Sequence, residues 1–187
     1  MTPRVETAVI HGRFQPLHLG HLEYLLAGKE TCETLVVGIT NPDPTLTVAE
    51  PTNPARGLPE ANPFTYYERY LMVESALLDA GVPPEGFRIV PFPHGLPERL
   101  FHYAPRDALY LLTIYDDWGE AKLRRFERLG LRTHVLWRRE EKLTSGAEVR
   151  GLIAGGGRWE HLVPAGVATV IRGREREPAA QPSSRVG

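Results

Sequence analysis

The chain has 187 residues, 42% of them hydrophobic, and a formal net charge of −1 at pH 7. A chain of this size can bury the core of one large domain, and its near-neutral charge excludes a broad basic surface for DNA or RNA. The single cysteine, Cys32, excludes an intramolecular disulfide and a cysteine-rich metal site. Because the sequence has neither an apolar signal segment nor a run of membrane-spanning length, we expect a cytoplasmic protein that does not bind membranes.

The first apolar run leads into a turn and then into a helix. Residues 5–10 have the composition of a buried strand, Gly12 and Pro16 mark a tight turn, and helical spacing of leucines begins at Leu19. The start of such a helix leaves main-chain N–H groups unpaired, and the helix dipole there favours negative charge. This junction therefore predicts a binding site for phosphate.

Three side chains at the same junction suit phosphate chemistry. The guanidinium of Arg13 can fork onto phosphate oxygens, and the imidazoles of His18 and His21 can stabilise a pentacoordinate phosphorus and a leaving pyrophosphate. Gly20 lets a ligand approach the main chain. Two other interpretations are a helical zinc pair, although zinc sites usually have a third protein ligand, and a pair of surface histidines.

The rest of the chain alternates strands with helices. Further strands are predicted at 34–40, 87–92, 107–113 and 132–137, and further helices at 63–80, 98–103, 117–129, 159–162 and 164–171. This alternation predicts an α/β fold, a Rossmann-like doubly wound parallel sheet of five strands with helices on both faces and a small C-terminal helical segment. We assign residues 1–172 to this domain and expect residues 173–187 to be a disordered tail.

A long loop and a second turn at a helix start complete the predicted site. Residues 41–62 are rich in Pro, Asn, Thr and Gly, so we expect a functional loop at the carboxyl edge of the sheet and interpret it as a lid. Ser145 and Gly146 open another helix, with Glu148 three residues after Ser145 in the pattern of a capping box. Capping alone explains this pattern. In the functional interpretation, Ser145 and the helix N–H groups bind a triphosphate whose outer phosphates Arg150 holds.

These motifs resemble those of a known enzyme superfamily. Gly12-Arg13-Phe14-Gln15-Pro16 followed by His18-Leu19-Gly20-His21 resembles the signature of the HxGH nucleotidyltransferases, and in particular the GRFQPxHxGH motif of the archaeal-type nicotinamide mononucleotide adenylyltransferases. Residues 62–69 are similar to the NPFTxxER segment of that family, residues 145–150 to its SxTxxR motif, and residues 159–164 to its closing WxxLVP segment. Ala147 stands where the second motif usually has Thr. The resemblance covers about residues 5–172.

The resemblance implies an in-line attack of an acceptor phosphate or phosphonate oxygen on the α-phosphorus of a nucleoside triphosphate, with release of pyrophosphate. The attacking oxyanion needs no side-chain base, so positioning and charge stabilisation supply the catalysis. Mg²⁺ is expected as a cofactor held mainly by the substrate phosphates, and we assign no protein ligand to it. The catalytic residues implied are His18, His21, Arg13 and Arg150; the nucleotide-binding residues are Gly12, Phe14, Gly20, Thr113, Tyr115, Ser145 and Gly146; the acceptor-binding residues are Arg69, His94 and Phe101.

Two departures from the adenylyltransferase pattern bear on the substrates. The TGN turn of that family is replaced by Thr113-Ile114-Tyr115, and its PxPD turn ends here in His94. An imidazole in place of a carboxylate suits a more anionic acceptor, and the bulkier Ile114 suits a smaller base or substrate. These departures make the chain similar to the phosphonoformate cytidylyltransferases of phosphonate natural-product pathways.

CTP and phosphonoformate are therefore the favoured substrates, and the alternative is synthesis of NAD from ATP and nicotinamide mononucleotide. A third hypothesis is a non-catalytic module that senses nucleotides, which the two histidines and Arg150 disfavour because sensing needs no clamp on a leaving group. A dehydrogenase is disfavoured because the first turn lacks the GxGxxG spacing. The expected partners are a nucleoside triphosphate and a small anionic acceptor, and assembly into a homo-oligomer is left open.

Overall fold

A computed structural model describes residues 4–47 and 54–176. Five strands form one sheet in which every pairing is parallel. The strands are β1 (Val5–Gly12), β2 (Cys32–Thr40), β3 (Phe87–Phe92), β4 (Leu109–Ile114) and β5 (Arg132–Arg138). Their order across the sheet is β3-β2-β1-β4-β5. The order reverses between β1 and β4, and open α/β sheets bind ligands in the crevice at such a point.

Six helices connect and cover these strands. They are α1 (Leu19–Glu30), α2 (Tyr66–Asp79), α3 (Pro97–Leu100), α4 (Asp117–Arg128), α5 (Gly146–Ala154) and α6 (Ala165–Arg176). Within the long loop, short 3-10 turns occupy Pro44–Leu46, Pro54–Gly57 and Pro59–Ala61. No helix in the described ranges combines the length and the apolar character needed to cross a membrane.

The side chains of β1 show that helices cover both faces of the sheet. Ile10 belongs to a buried cluster with Leu25 of α1 and Met72 of α2, whereas its neighbour Val9 belongs to a second cluster with Phe126 of α4. Since successive side chains of a strand point to opposite faces, β1 is buried from both sides. This arrangement confirms the predicted doubly wound α/β fold.

The C-terminal helix completes the first of these two clusters. Val167 and Ile171 of α6 are buried in it. The main-chain N–H of Gly166 donates to Oδ2 of Asp79 at the end of α2, at 3.2 Å, and a Cβ at Gly166 would lie 2.6 Å from Cβ of Ser75. Helix α6 continues to Arg176, so the predicted domain boundary at residue 172 falls inside a helix. The remainder of the predicted tail, residues 177–187, lies outside the described residues.

Candidate active site

A cavity of about 450 Å³ lies beyond the carboxyl ends of β1 and β4. Its walls come from the β1–α1 turn, the start of α1, the turn between β4 and α4, and the residues that lead into α5. His18 and Arg150 both line it, so the two sequence motifs meet at one site. The cavity also contacts Ala55, Gly57 and Ala61 of the long loop, which places part of the predicted lid in the wall. Residues 48–53 of that loop lie outside the described residues.

His18 caps the start of α1. Its Nδ1 atom accepts a hydrogen bond from the main-chain N–H of His21 at 3.3 Å, and the two imidazole rings stack with their centroids 3.7 Å apart. Burial, together with the nearby charge of Lys142, lowers the pKa of His18 to about 4. At neutral pH the ring is therefore neutral, and because Nδ1 accepts, the proton lies on Nε2. His18 can thus donate a hydrogen bond from Nε2 to a phosphate oxygen.

The β1–α1 turn is shaped by contacts that need small residues. Phe14 has φ +52° and a fully buried ring, and a Cβ at Gly12 would lie 2.9 Å from Cζ of that ring. The rings of Phe14 and His21 meet in a T-shaped arrangement with 5.0 Å between their centroids. A Cβ at Gly20 would lie 3.3 Å from the His18 ring. Gly12, Phe14 and Gly20, the three predicted nucleotide-binding residues of this junction, line the cavity.

The start of α5 forms the facing wall. Ser145 caps this helix by accepting a hydrogen bond from the main-chain N–H of Glu148 at 3.1 Å. The predicted capping box is only half formed, because the Glu148 carboxylate accepts from the hydroxyl of Thr144 at 2.8 Å. The guanidinium of Arg150 donates to the main-chain oxygen of Gln15 at 2.5 Å, and burial lowers its pKa. Ser145, Gly146 and Arg150 line the cavity as predicted.

Gln15 joins the β1–α1 turn to the start of α2. Its Nε2 atom donates to the main-chain oxygen of Phe64 at 2.8 Å, and its Oε1 atom accepts from the N–H of Phe64 at 2.9 Å. The side chain is 2% exposed. We did not predict this role, although Gln15 lies inside the first motif, because nothing in the sequence identifies a partner 49 positions away.

The structure assigns Arg69 a different place from the predicted one. Arg69 does not line the cavity and is 2% exposed. Its guanidinium donates to four main-chain oxygens, those of Thr65 at 3.1 Å, Arg13 at 3.0 Å, Thr40 at 2.6 Å and Asn41 at 2.7 Å. Burial lowers its pKa to about 10. In this structure Arg69 therefore fixes the loops after β1 and β2, and its guanidinium is not available to an acceptor.

Phe101 also lies away from the cavity. Its ring packs against the second buried cluster, and the guanidinium of Arg106 lies over it at 4.0 Å from the ring centroid. The prediction of an acceptor contact is not supported by this position. The other predicted residues of the base and acceptor ends, Thr113, Tyr115 and His94, do line the cavity.

Several cavity residues were not predicted. The Nζ atom of Lys122 lies 4.5 Å above the ring of Trp118, and Lys142 lies 5.4 Å from the centroid of Tyr115 and 3.9 Å from Oδ2 of Asp116. Together with Arg13 and Arg150, these lysines give the described lining four cationic side chains, against one carboxylate, that of Asp116. Such a lining suits a polyanionic ligand. Lys122 lies on α4 and Lys142 in the loop before α5, and neither belongs to a motif in the sequence, so only their positions in the fold identify them.

Comparison with known proteins identifies the family of this chain. A family model described as cytidylyltransferase-like matches residues 9–92. A phosphonoformate cytidylyltransferase of Streptomyces viridochromogenes is 69% identical over 166 residues, which are 89% of this chain and 90% of that protein. The chain belongs to the cytidylyltransferase-like family.

More distant relatives of this family member are adenylyltransferases. A nicotinamide-nucleotide adenylyltransferase of Methanoculleus marisnigri is 30% identical over 171 residues, covering 86% of this chain and 87% of that protein. Among solved structures, a bifunctional NMN adenylyltransferase/ADP ribose pyrophosphatase of Francisella tularensis superposes with a TM-score of 0.68 at 17% identity, covering 92% of this chain and 51% of that longer one. This structural likeness agrees with the Rossmann-like fold described above.

Proposed function

We propose that this family member transfers CMP from CTP to phosphonoformate and releases pyrophosphate. The observation that carries the reaction class is that His18, at the start of α1, and Arg150, on α5, line one cavity of cationic character. The choice of substrates is supported by the relative of 69% identity, named for this reaction, and by His94 at the cavity wall.

In this proposal the triphosphate spans the two helix starts. The α-phosphate lies at the start of α1 beside His18 and His21, and the outer phosphates lie at the start of α5 beside Ser145 and Arg150. Unpaired N–H groups at both helix starts favour this anion. The arrangement holds the leaving pyrophosphate away from the acceptor, as an in-line displacement requires.

The chemical step needs no base from the protein. A phosphonate oxygen of the acceptor forms a bond to the α-phosphorus, and the bond from that phosphorus to the bridging oxygen breaks, so pyrophosphate leaves with the electron pair. His18 donates from Nε2 to the phosphoryl oxygens as their charge is redistributed, and Arg150 stabilises the charge that accumulates on pyrophosphate. Catalysis then follows from positioning and from charges fixed in advance.

Mg²⁺ fits this proposal as an ion that arrives with the nucleotide. Among the described residues there is no group of three or more His, Cys, Asp or Glu that could hold a metal, and Asp116 is the one carboxylate on the described lining. Mg²⁺ commonly keeps several waters and binds through substrate phosphates with few protein ligands. When bound, it would neutralise charge on the triphosphate.

A crossed assay tests the function. CTP and ATP are each combined with phosphonoformate and with nicotinamide mononucleotide, pyrophosphate release is measured, and the nucleotide product is identified by phosphorus NMR. We expect the CTP and phosphonoformate pair to have the highest kcat/KM, by about a hundredfold or more over either ATP pair. Turnover confined to ATP with the mononucleotide would show the adenylyltransferase alternative. Nucleotide binding without turnover of any pair would show a sensing module.

A further inference from the structure

His11 is a buried residue at the cavity wall that the reaction described above does not use. It is the second-last residue of β1, it is 4% exposed, and it lines the cavity. Its ring stacks on Phe92 with centroids 4.7 Å apart and meets Phe126 at 5.2 Å. Neither Nδ1 nor Nε2 has a hydrogen-bond partner. A phenylalanine could make the same ring contacts, so packing does not explain the two nitrogens.

The nitrogens instead indicate a ligand. Buried polar atoms in proteins nearly always have partners, and an exception at a cavity wall is a place where a bound molecule can supply one. Burial lowers the pKa of His11 well below its usual value, and electrostatic interactions with Lys122 and His94 lower it further. The three side chains converge on one part of the cavity, and an anion there would pair with all of them.

This part of the cavity lies on the other face of the sheet from the triphosphate site. His11 packs against Phe92 and Phe126 of the second buried cluster, which α4 covers. The starts of α1 and α5 belong to elements whose buried residues, Leu25 and Val149, lie in the first cluster. An anion at His11 is therefore a different group from the triphosphate, and the acceptor is the second anion of the reaction.

We propose that His11, with His94 and Lys122, binds the carboxylate of the acceptor. The proposal rests on the proposed function and adds to it the residues that distinguish a carboxy-phosphonate from a plain phosphonate. The phosphonate group of the acceptor must face the α-phosphorus, so the carboxylate lies at its far end. An acceptor without that carboxylate leaves the buried imidazole unpaired and is discriminated against for that reason.

Binding at this place requires one side chain to move. Both nitrogens of His11 are covered by neighbouring groups in this structure. Lys122 is a flexible side chain of the same cavity wall whose charge acts on His11, and its ammonium lies over the ring of Trp118. In the proposed complex Lys122 rotates away from Trp118 and brings its ammonium to the carboxylate beside His11.

Steady-state kinetics of His11→Phe test the proposal. This variant keeps the stacked ring and removes both nitrogens, and His161→Phe, at an exposed position outside the cavity, is its matched control. We expect the KM for phosphonoformate to rise by about ten- to a hundredfold in His11→Phe, with the KM for CTP unchanged and with activity on methylphosphonate equal to that of the wild type. Equal losses with both acceptors, or a raised KM for CTP, would overturn the assignment.

A binding measurement separates failure of this site from failure of the proposed function. In protein with ¹⁵N-labelled histidine, phosphonoformate added with a non-reacting CTP analogue should convert the His11 signals, assigned by their loss in His11→Phe, from neutral imidazole to imidazolium. If that conversion occurs without CMP transfer, the carboxylate site is correct and the proposed reaction is wrong. If transfer occurs while the His11 signals do not change, the reaction is correct and the site is wrong.

Discussion

The guanidinium of Arg150 donates from Nη1 to the main-chain oxygen of Gln15 at 2.5 Å, although 135 positions separate the two residues. Gln15 in turn forms two hydrogen bonds with the main chain of Phe64. The start of α5, the β1–α1 turn and the start of α2 are therefore held together by a few polar contacts. Because both helix starts proposed to bind phosphate belong to this unit, these contacts hold them in place relative to each other.

Replacing Arg150 by lysine tests whether catalysis depends on the positive charge alone or also on the hydrogen-bond geometry of the guanidinium. Arg150→Lys keeps a positive charge but loses the fork that can hold both Gln15 and a phosphate, so we expect kcat for pyrophosphate release to fall by about a hundredfold. The measurement is steady-state pyrophosphate release at saturating CTP. Arg172→Lys is the matched control, because Arg172 lies on α6 and pairs at the surface with Glu160 at 2.9 Å. Activity of Arg150→Lys within twofold of this control would contradict the role given to Arg150.

Two glycines of α5 give opposite expectations for the same substitution. A Cβ at Gly146 would lie 2.8 Å from the main-chain oxygen of Gln15, whereas a Cβ at Gly151 would meet nothing within 4 Å. Gly146→Ala should therefore displace the helix start, lower the free energy of unfolding by about 1–3 kcal/mol and weaken CTP binding. Gly151→Ala should raise the free energy of unfolding by about 0.5–1 kcal/mol through its helix propensity.

Urea denaturation and CTP titration of these two alanine variants provide the check. The contrast is internal, since both substitutions add one methyl group to one helix. If Gly146→Ala were as stable as Gly151→Ala and bound CTP equally well, the close packing of α5 on the first turn would not matter for the site.

Arg69 is expected to be important for stability. Arg69→Met removes the donors to four main-chain oxygens in a nearly inaccessible place, so those oxygens lose charged partners. We expect the free energy of unfolding to fall by about 3 kcal/mol or more. Arg158→Met, at an exposed position, is the control. A variant that stayed stable in urea but showed a raised KM for the acceptor would restore the role predicted from the sequence.

The low pKa of His18 makes the folded protein sensitive to acid. Its pKa is about 4 in the folded protein and 6.5 in the absence of burial. Above pH 6.5 the ring is neutral in both states and costs nothing. As the pH falls from 6.5 to 4, the unfolded chain takes up a proton that the folded protein does not, so the wild type loses up to about 3 kcal/mol of stability from this group.

His18→Asn removes this titration while keeping a side chain that can cap α1. The difference in unfolding free energy between the wild type and the variant should move by about 3 kcal/mol in favour of the variant between pH 7 and pH 4. Denaturant unfolding at several pH values measures it. A difference that does not change with pH would show that His18 keeps an ordinary pKa in the folded protein. The variant should also lose the Nε2 donor and hence most of its turnover.

Local features of the sequence were sufficient to predict the fold and to identify the two motifs at the helix starts. Thr65 and Glu68 form the predicted capping box, with hydrogen bonds of 3.2 and 2.7 Å, and each predicted strand is found in the sheet. Caps, turns and the alternation of apolar runs depend on residues within a few positions of one another. Because the interacting residues are close together in the sequence, the helix starts at His18 and Ser145 could be predicted from the sequence alone.

The positions of Arg69, Phe101 and His11 were decided by packing between distant segments. Arg69 has a residue pattern that suits phosphate binding, yet its guanidinium reaches Arg13 and Thr40, which lie 56 and 29 positions away, and is buried there. His11 lies in a strand, at a position that could hold either a core residue or a ligand-binding residue. In the folded protein its ring packs against Phe92 and Phe126, and neither of its nitrogens has a hydrogen-bond partner. The sequence by itself determined the family motifs, the helix starts and the chemistry that they favour, because these depend on short-range order. The tertiary structure alone decided which charged side chains face the cavity, because the direction of a side chain is set by whichever distant element packs against it.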